Sequence, residues 1–405
     1  MAPTLGENVV TGRLRSKQTA ASTLVASAVF AISLVAFFRV PFLASIGTDL
    51  GLTDADLAGI AVAYALGRLI ADLPAALYTD RTHPYTLLGA GMAVAAAGGV
   101  LFARAASLGF IWGGAFLIGS ASALVNSAGL WHFSTATGVQ RRGTSVSIYS
   151  STLLVGQAIG PAVATVLALD GTWRSSHAFA AVGLGVFAAV LFFRRRAASP
   201  TVVPPPDPNP GQVAGEPVKW QRTWPLIVLY IVPFYMFGIF VSTIHTLIPI
   251  VGGDLALSPA SIGIALGIGG AARLLAILVG GRVSDRYSRT LALLVALLLT
   301  ASGLVMLAVA SSYLIWLGSV IALSAGSTAI SISATMVADI SPPERVGRNL
   351  GPWRFIGDVG MTVFPLGLGW TLAASLTTPA LIAAAGFAVV LGALVVSLRR
   401  HHPQW

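Results

Sequence analysis

Apolar runs of roughly 20 residues, the length needed to cross a hydrocarbon core of ~30 Å, recur along this chain between short knots of charge, Pro and Gly. They fall near 20–46, 56–78, 85–104, 108–136, 144–169 and 174–193, then near 222–251, 258–281, 290–310, 313–338, 348–372 and 377–398. Charges and Pro/Gly punctuate nearly every gap, so the pattern predicts twelve separate helices and no strands. The first run is too long for a signal-peptide core and no small-residue cleavage site clearly follows it, which predicts a retained first helix. The predicted class is an all-α membrane protein.

The periodicity lapses once. Residues 194–221 open with Arg194, Arg195 and Arg196 and continue through Pro200, Pro204, Pro205, Pro206, Pro208 and Pro210. Such a stretch favours an extended, solvated linker with no core of its own. The expected division is a tail over 1–19, a six-helix bundle over 20–193, the linker over 194–221, a second bundle over 222–398 and a tail over 399–405.

Composition agrees with a bilayer and excludes a soluble fold. Of 405 residues 56% are hydrophobic and 9% charged, against about 25% charged in soluble domains, and the mean hydropathy is +0.83. A net charge of +10 would suggest nucleic acid in a soluble protein; here it reads as basic loops, and no nucleic-acid partner is expected. The chain has no Cys, which excludes disulfides. Of the 24 Lys and Arg, eighteen fall on one side of the predicted bundle, Arg104 and Arg174 on the other, and Arg39, Arg68, Arg273 and Arg354 inside spans. That bias predicts that both termini and the linker are cytoplasmic. Trp112, Trp173, Trp316 and Trp370 fall at the predicted outer interface and Trp220 and Trp224 at the inner one, as an aromatic belt would place them.

An internal repeat relates the halves. At an offset of 205, Gly47 maps to Gly252, Asp49 to Asp254, Arg68 to Arg273, Asp80 to Asp285 and Arg81 to Arg286. At 204, Trp112 maps to Trp316, Gly143 to Gly347, Gly156 to Gly360 and Pro161 to Pro365. A parallel repeat of six helices places a pseudo-twofold axis along the membrane normal, with a solute site between the halves near the midplane.

Two motifs carry a family resemblance over nearly the whole length. Gly281-Arg-Val-Ser-Asp285-Arg286-Tyr-Ser-Arg289 stands between helices eight and nine, and a degraded copy, Ala76-Leu-Tyr-Thr-Asp80-Arg81, between helices two and three. The first resembles the signature loop of the major facilitator superfamily, a secondary-transporter family of which this would be a bacterial twelve-helix member. The resemblance implies two pseudo-symmetric six-helix bundles and a location in the bacterial inner membrane. It also implies gating roles for Asp80, Arg81, Gly281, Asp285, Arg286 and Arg289, the loop carboxylate latching onto an Arg or a helix N-terminus of the other half. Gly156-Gln-Ala-Ile-Gly160-Pro161 is similar to part of the exporter-associated motif of drug/proton antiporters; Gly156, Gly160 and Pro161 read first as packing residues. The buried Arg of that antiporter group is absent, Ala115 standing in its place.

Charges inside a span cost several kcal/mol unless they meet a partner or a cavity, which makes them candidate sites. Arg68 and Arg273, at pseudo-symmetric depths, are positioned to clamp an anion from both halves; the rival role for Arg68 is a pair with Asp72 at i+4. Arg354 and Asp358 form a second i,i+4 set. Asp72 and Asp358 are the candidate proton carriers. Arg39 beside Pro41, and His245, complete the candidate solute contacts, with His132 as a further titratable group.

No phosphate-binding loop is present, so a gradient must drive transport. Nothing resembles an enzyme's clustered acids or a metal-ligand set, and no cofactor or metal is expected. Four Arg against two Asp favour an organic anion or metabolite, moved by proton-coupled alternating access in a monomer. The alternative is drug or metabolite efflux by proton antiport.

Overall fold

The computed structural model of the chain describes residues 5–79, 82–135, 142–197, 223–341 and 346–398. Every described element is helical. The first half comprises α1 (Leu5–Val35), a 3-10 turn (Val40–Phe42), α2 (Leu43–Leu50), α3 (Asp54–Thr79), α4 (Pro84–Ala103), α5 (Leu108–Thr135), α6 (Arg142–Leu167) and α7 (Trp173–Ala197). The second comprises α8 (Thr223–Ser242), a π-helical turn (Thr243–Leu247), α9 (Ile248–Asp254), α10 (Pro259–Arg286), α11 (Arg289–Ala308), α12 (Tyr313–Gly326), α13 (Ala329–Ile340), α14 (Val346–Ala373) and α15 (Thr377–Ser397).

Grouping α1 with α2, α8 with α9 and α12 with α13 gives twelve spans in two six-helix bundles. Eleven of them are long and apolar enough to cross a membrane among the described residues. The twelfth, α3, has 26 residues and packs along α5. Capping sets several boundaries: Ser258, Ser288 and Ser312 accept from the backbone N–H groups of Ser261, Leu291 and Ile315, satisfying donors that the helix leaves open. The bundle is apolar outside as well as inside; Val182 and Phe193 are 67% and 69% exposed, as lipid-facing side chains are.

The repeat extends to individual contacts. Gly156 of α6 sits where a Cβ would come 2.8 Å from the Phe30 carbonyl oxygen of α1. Its repeat mate Gly360 of α14 leaves no room for a Cβ against the carbonyl of Phe234 on α8, and 234 lies 204 beyond 30. Gly160 meets Leu34 of α1 in the same way, so these α6 glycines pack helices. The repeat offset then steps from 204 at Phe30/Phe234 to 205 at Gly47/Gly252. Between those points lies the π turn, which takes one more residue than an α turn. Both first spans are therefore broken at matching depth, one at Ala36–Phe42 and the other at Thr243–Leu247.

Alternation of twelve spans puts the start of α1, the end of α15 and the junction between α7 and α8 on one face, called here the terminal face. On the opposite, far face the halves close together. Ala44 of α2 lies against Gly253 of α9, and Gly263 of α10 against the Pro161 carbonyl of α6.

Several expectations shift. Helix α7 continues through Arg194, Arg195 and Arg196 to Ala197, so the basic triplet ends a helix instead of opening the linker. Most of the predicted linker, the tail beyond Leu398, and Asp80 and Arg81 lie outside the described residues. Trp173 and Trp316 are 1% and 0% exposed and do not belong to an interfacial belt. Each reaches an internal acceptor instead: Trp173 Nε1 donates to Asp49 at 2.8 Å and Trp316 Nε1 to the Ile248 carbonyl at 3.0 Å. Trp112, Trp224 and Trp370 are exposed as expected.

Candidate functional site

The two halves meet along two seams related by the repeat, α3 with α14 and α6 with α10. Each seam carries one of the arginines predicted from the repeat.

On the first seam Arg68 of α3 lies just past the middle of the helix. Its Nε is 3.3 Å from Asp358 Oδ1 of α14 and 3.7 Å from Asp72 Oδ2, one turn on. The Asp358 side chain is 7% exposed and that of Arg68 15%. The expected Arg354–Asp358 pair does not form. Arg354 is part-buried and makes no ion pair or hydrogen bond among the described residues, whereas Asp358 crosses to the other half. The i,i+4 spacing is permissive, but the α14 face bearing Asp358 turns to α3, which brings the Arg68 guanidinium within 3.3 Å of its carboxylate. Asp72 and Asp358, expected to act alike from separate halves, thus converge on one cation.

On the second seam Arg273 of α10 has no acid. Its Nη1 donates to Gln157 Oε1 of α6 at 3.2 Å, and its guanidinium lies 4.6 Å above the Phe240 ring of α8. The position matching Asp358 at an offset of 204 is Leu154. That substitution leaves the cation uncompensated, and its Nε has no hydrogen-bond partner among the described residues. Arg273 borders a small cleft between the halves, lined mostly by apolar side chains that include Phe37, Leu154, Phe240 and Ile244. Among its lining residues Arg273, Gln157 and Ser324 are the polar ones.

A third group fills the axis below the far-side closure. Arg39, 2% exposed, occupies the break in the first span. Its Nη1 donates to the Ala36 carbonyl at 2.6 Å and its Nη2 to His245 Nδ1 at 3.3 Å. The guanidinium sits 4.8 Å from the Tyr64 ring centre. A guanidinium only donates, so His245 Nδ1 accepts and its proton resides on Nε2. His245 lies in the π turn, edge-on to Phe37 at 4.4 Å. Arg39 and His245 therefore tie the two broken spans together, and Arg39 is shut off from its surroundings at this break. His132, half-buried, meets Ser22 Oγ at 3.2 Å.

The signature loop behaves differently from the latch expected of it. Asp285 pairs with Arg289 of its own half, and Arg289 Nε also donates to Asp339 Oδ2 of α13 at 3.0 Å. Arg286 is exposed at the end of α10, and a Cβ on Gly281 would meet nothing within 4 Å. In this conformation the loop braces α10 against α13 within one half.

Gln157, Tyr64 and Phe240 were not read as site residues from the sequence. Gln157 had a signal, being a polar side chain inside the Gly156–Pro161 motif. The two aromatics had none, since ring-over-guanidinium contacts depend on inter-helix geometry.

Two six-helix bundles of duplicated contacts, with buried charge confined to the surfaces between them, define a multi-pass membrane transporter and not an enzyme. The chain belongs to the major facilitator superfamily, whose model matches residues 25–251 and again 236–405. Solved structures agree at the level of fold. A bacterial homologue of the human lysosomal transporter Spinster, inward-facing and occupied, is 14% identical with a TM-score of 0.74, covering 96% of this chain and 98% of its own. A peptide transporter POT in complex with sulfate is 14% identical with a TM-score of 0.76, covering 94% of each chain. A POT-family transporter in complex with 5-aminolevulinic acid is 12% identical with a TM-score of 0.77, covering 94% of this chain and 96% of that one. No curated protein matches by sequence.

Proposed function

We propose that the protein is a proton-coupled secondary transporter that moves a small organic anion by alternating access. It would work as a monomer in a bacterial inner membrane, with both termini and the linker after Ala197 in the cytoplasm, consistent with the placement of its basic residues. The observation that carries the reading is the contrast between the seams: Arg68 shares two carboxylates, and Arg273 has none.

The first seam supplies the coupling. With Asp72 and Asp358 both ionised, Arg68 is over-neutralised and Asp358 ties α14 to α3. A proton on Asp358 discharges that tie while Asp72 still balances Arg68, which lowers the cost of parting the halves at this seam. The second seam supplies the cargo site, because an anion at Arg273 offsets the cost of a buried cation. Binding and protonation then act on opposite sides of the same pseudo-axis. Gly156 and Gly160 of the α6 motif are taken up in packing against α1, so these two glycines give the drug-efflux reading no solute contact.

The test is uptake and counterflow in proteoliposomes under an imposed pH gradient. Wild-type uptake should follow the gradient, and Asp358→Asn should abolish that dependence while retaining counterflow. Uptake of organic anions that ignores pH in the wild type would remove the coupling.

A further inference from the structure

Four arginines lie inside the spans, and the surroundings of each assign it a different task. Arg68 is balanced by Asp72 and Asp358. Arg39 has both terminal nitrogens engaged and is 2% exposed, so no solute reaches it in this conformation. Arg354 does not line the cleft. Among the described residues Arg273 alone combines a span-embedded guanidinium, no acid partner and a cleft beside it.

We infer that the cargo is a monocarboxylate with a compact apolar body, its carboxylate held by Arg273 and Gln157 alone. This deepens the transport reading above and rests on it. The two-arginine clamp expected from the repeat is absent, because Arg68 belongs to the other seam and is already neutralised. A dicarboxylate would bury one charge with no counter-ion. An amino acid or peptide would place an ammonium in a cleft whose lining holds no Asp or Glu. Each mismatch leaves an uncompensated charge in a low-dielectric site, at a cost of several kcal/mol.

The contacts suit one carboxylate. Phe240 covers one face of the Arg273 guanidinium, which leaves the in-plane edge, with Nε unpartnered, for the fork-like geometry that Arg makes with carboxylates. Gln157 accepts from Nη1 through Oε1, and its amide N–H groups remain able to donate to the cargo. Ser324 offers a hydroxyl at the same cleft. The remaining wall is apolar or aromatic, with Phe37, Leu154, Ile244 and Leu266 receiving the body of the solute.

The experiment is calorimetric binding to the purified full-length protein in detergent. The probes are phenylacetate, the isosteric neutral phenylacetamide, succinate and phenylalanine. Phenylacetate should bind, with the amide about ten- to a hundredfold weaker from loss of charge-assisted hydrogen bonds. Succinate and phenylalanine should fall at least about tenfold below it, for lack of a second counter-ion. Arg273→Gln should lose the preference for acid over amide. Arg273→Lys should keep part of it, which separates charge recognition from misfolding. Equal binding of acid and amide, unaltered selectivity in Arg273→Gln, or no binding of phenylacetate would each overturn the assignment. Binding with the expected profile but no uptake in vesicles under either gradient would defeat the transport reading and leave the site standing. Gradient-driven uptake of neutral or cationic solutes alone would do the reverse.

Discussion

Arg68 and Asp358 pair at 3.3 Å across the boundary between the two halves, although Arg354 stands one helical turn from Asp358 on the same helix. This ion pair is thus inter-helical and crosses between the two halves. A double-mutant cycle in thermal unfolding of the purified protein reads this directly. Arg68→Gln with Asp358→Asn should show a coupling of about 0.5–3 kcal/mol, the range for residues in contact. Arg354→Gln with Asp358→Asn should show much less. The opposite ranking would mean that the pairing across the seam does not persist.

Helix α14 approaches α8 so closely at Gly360 that a methyl group would collide with the Phe234 backbone carbonyl. Backbone cannot move aside as a side-chain tip does. Gly360→Ala is expected to destabilise the protein by about 1–3 kcal/mol, as overpacking does, and Gly156→Ala should behave alike through Phe30. Gly386→Ala, where a Cβ meets nothing within 4 Å, is the control. Equal melting temperatures for Gly360→Ala and Gly386→Ala would refute the close approach.

The absence of Cys makes the far-side closure open to crosslinking without background. Ala44 and Gly253 face each other from α2 and α9, a Cβ on Gly253 falling 2.5 Å from the Ala44 Cβ. A slight relaxation brings the pair into the usual disulfide range of ~3.5–4.5 Å between Cβ atoms. Ala44→Cys with Gly253→Cys should oxidise readily, arrest transport in proteoliposomes and recover on reduction. A pair that never crosslinks would show that the far face is not closed in the membrane.

Outside the spans, Asp170 organises the turn before α7. Its carboxylate accepts from Ser175 Oγ and from the Thr172 N–H and Oγ1, and these hydrogen bonds hold its pKa below the ordinary 3.8. A depressed folded-state pKa contributes order above the unfolded value and loses it as pH falls through the folded one. Amide exchange at Thr172 should therefore be slower in wild type than in Asp170→Asn near neutral pH. The difference should fade below pH 3.8. A difference independent of pH would assign the protection to the turn backbone.

The residues that disagreed with expectation share a physical cause. Asp358 pairs with α3 and not along its own helix, Asp285 pairs within its own half, and Trp173 and Trp316 are buried and not at an interface. In each case sequence spacing fixes which side chains share a helical face, but which face meets which neighbour is set by packing. The apolar surface, nearly continuous around each helix, carries no signal for that choice, because lipid and protein interior are equally apolar.

What the sequence determined by itself was everything governed by length, duplication and the cost of charge. Twelve spans follow from apolar run length, the two bundles from the 204–205 offset, and the four arginines and two aspartates as the places to look from the expense of burying them. The close approach of Gly156 and Gly160 to α1 has a plain sequence signal, since small residues at helical spacing admit close backbones. Tertiary structure alone decided which of the arginines is free. That depends on Asp358 facing Arg68 at one seam while Leu154 faces Arg273 at its mate, relations between residues 290 and 119 positions apart that no local pattern encodes.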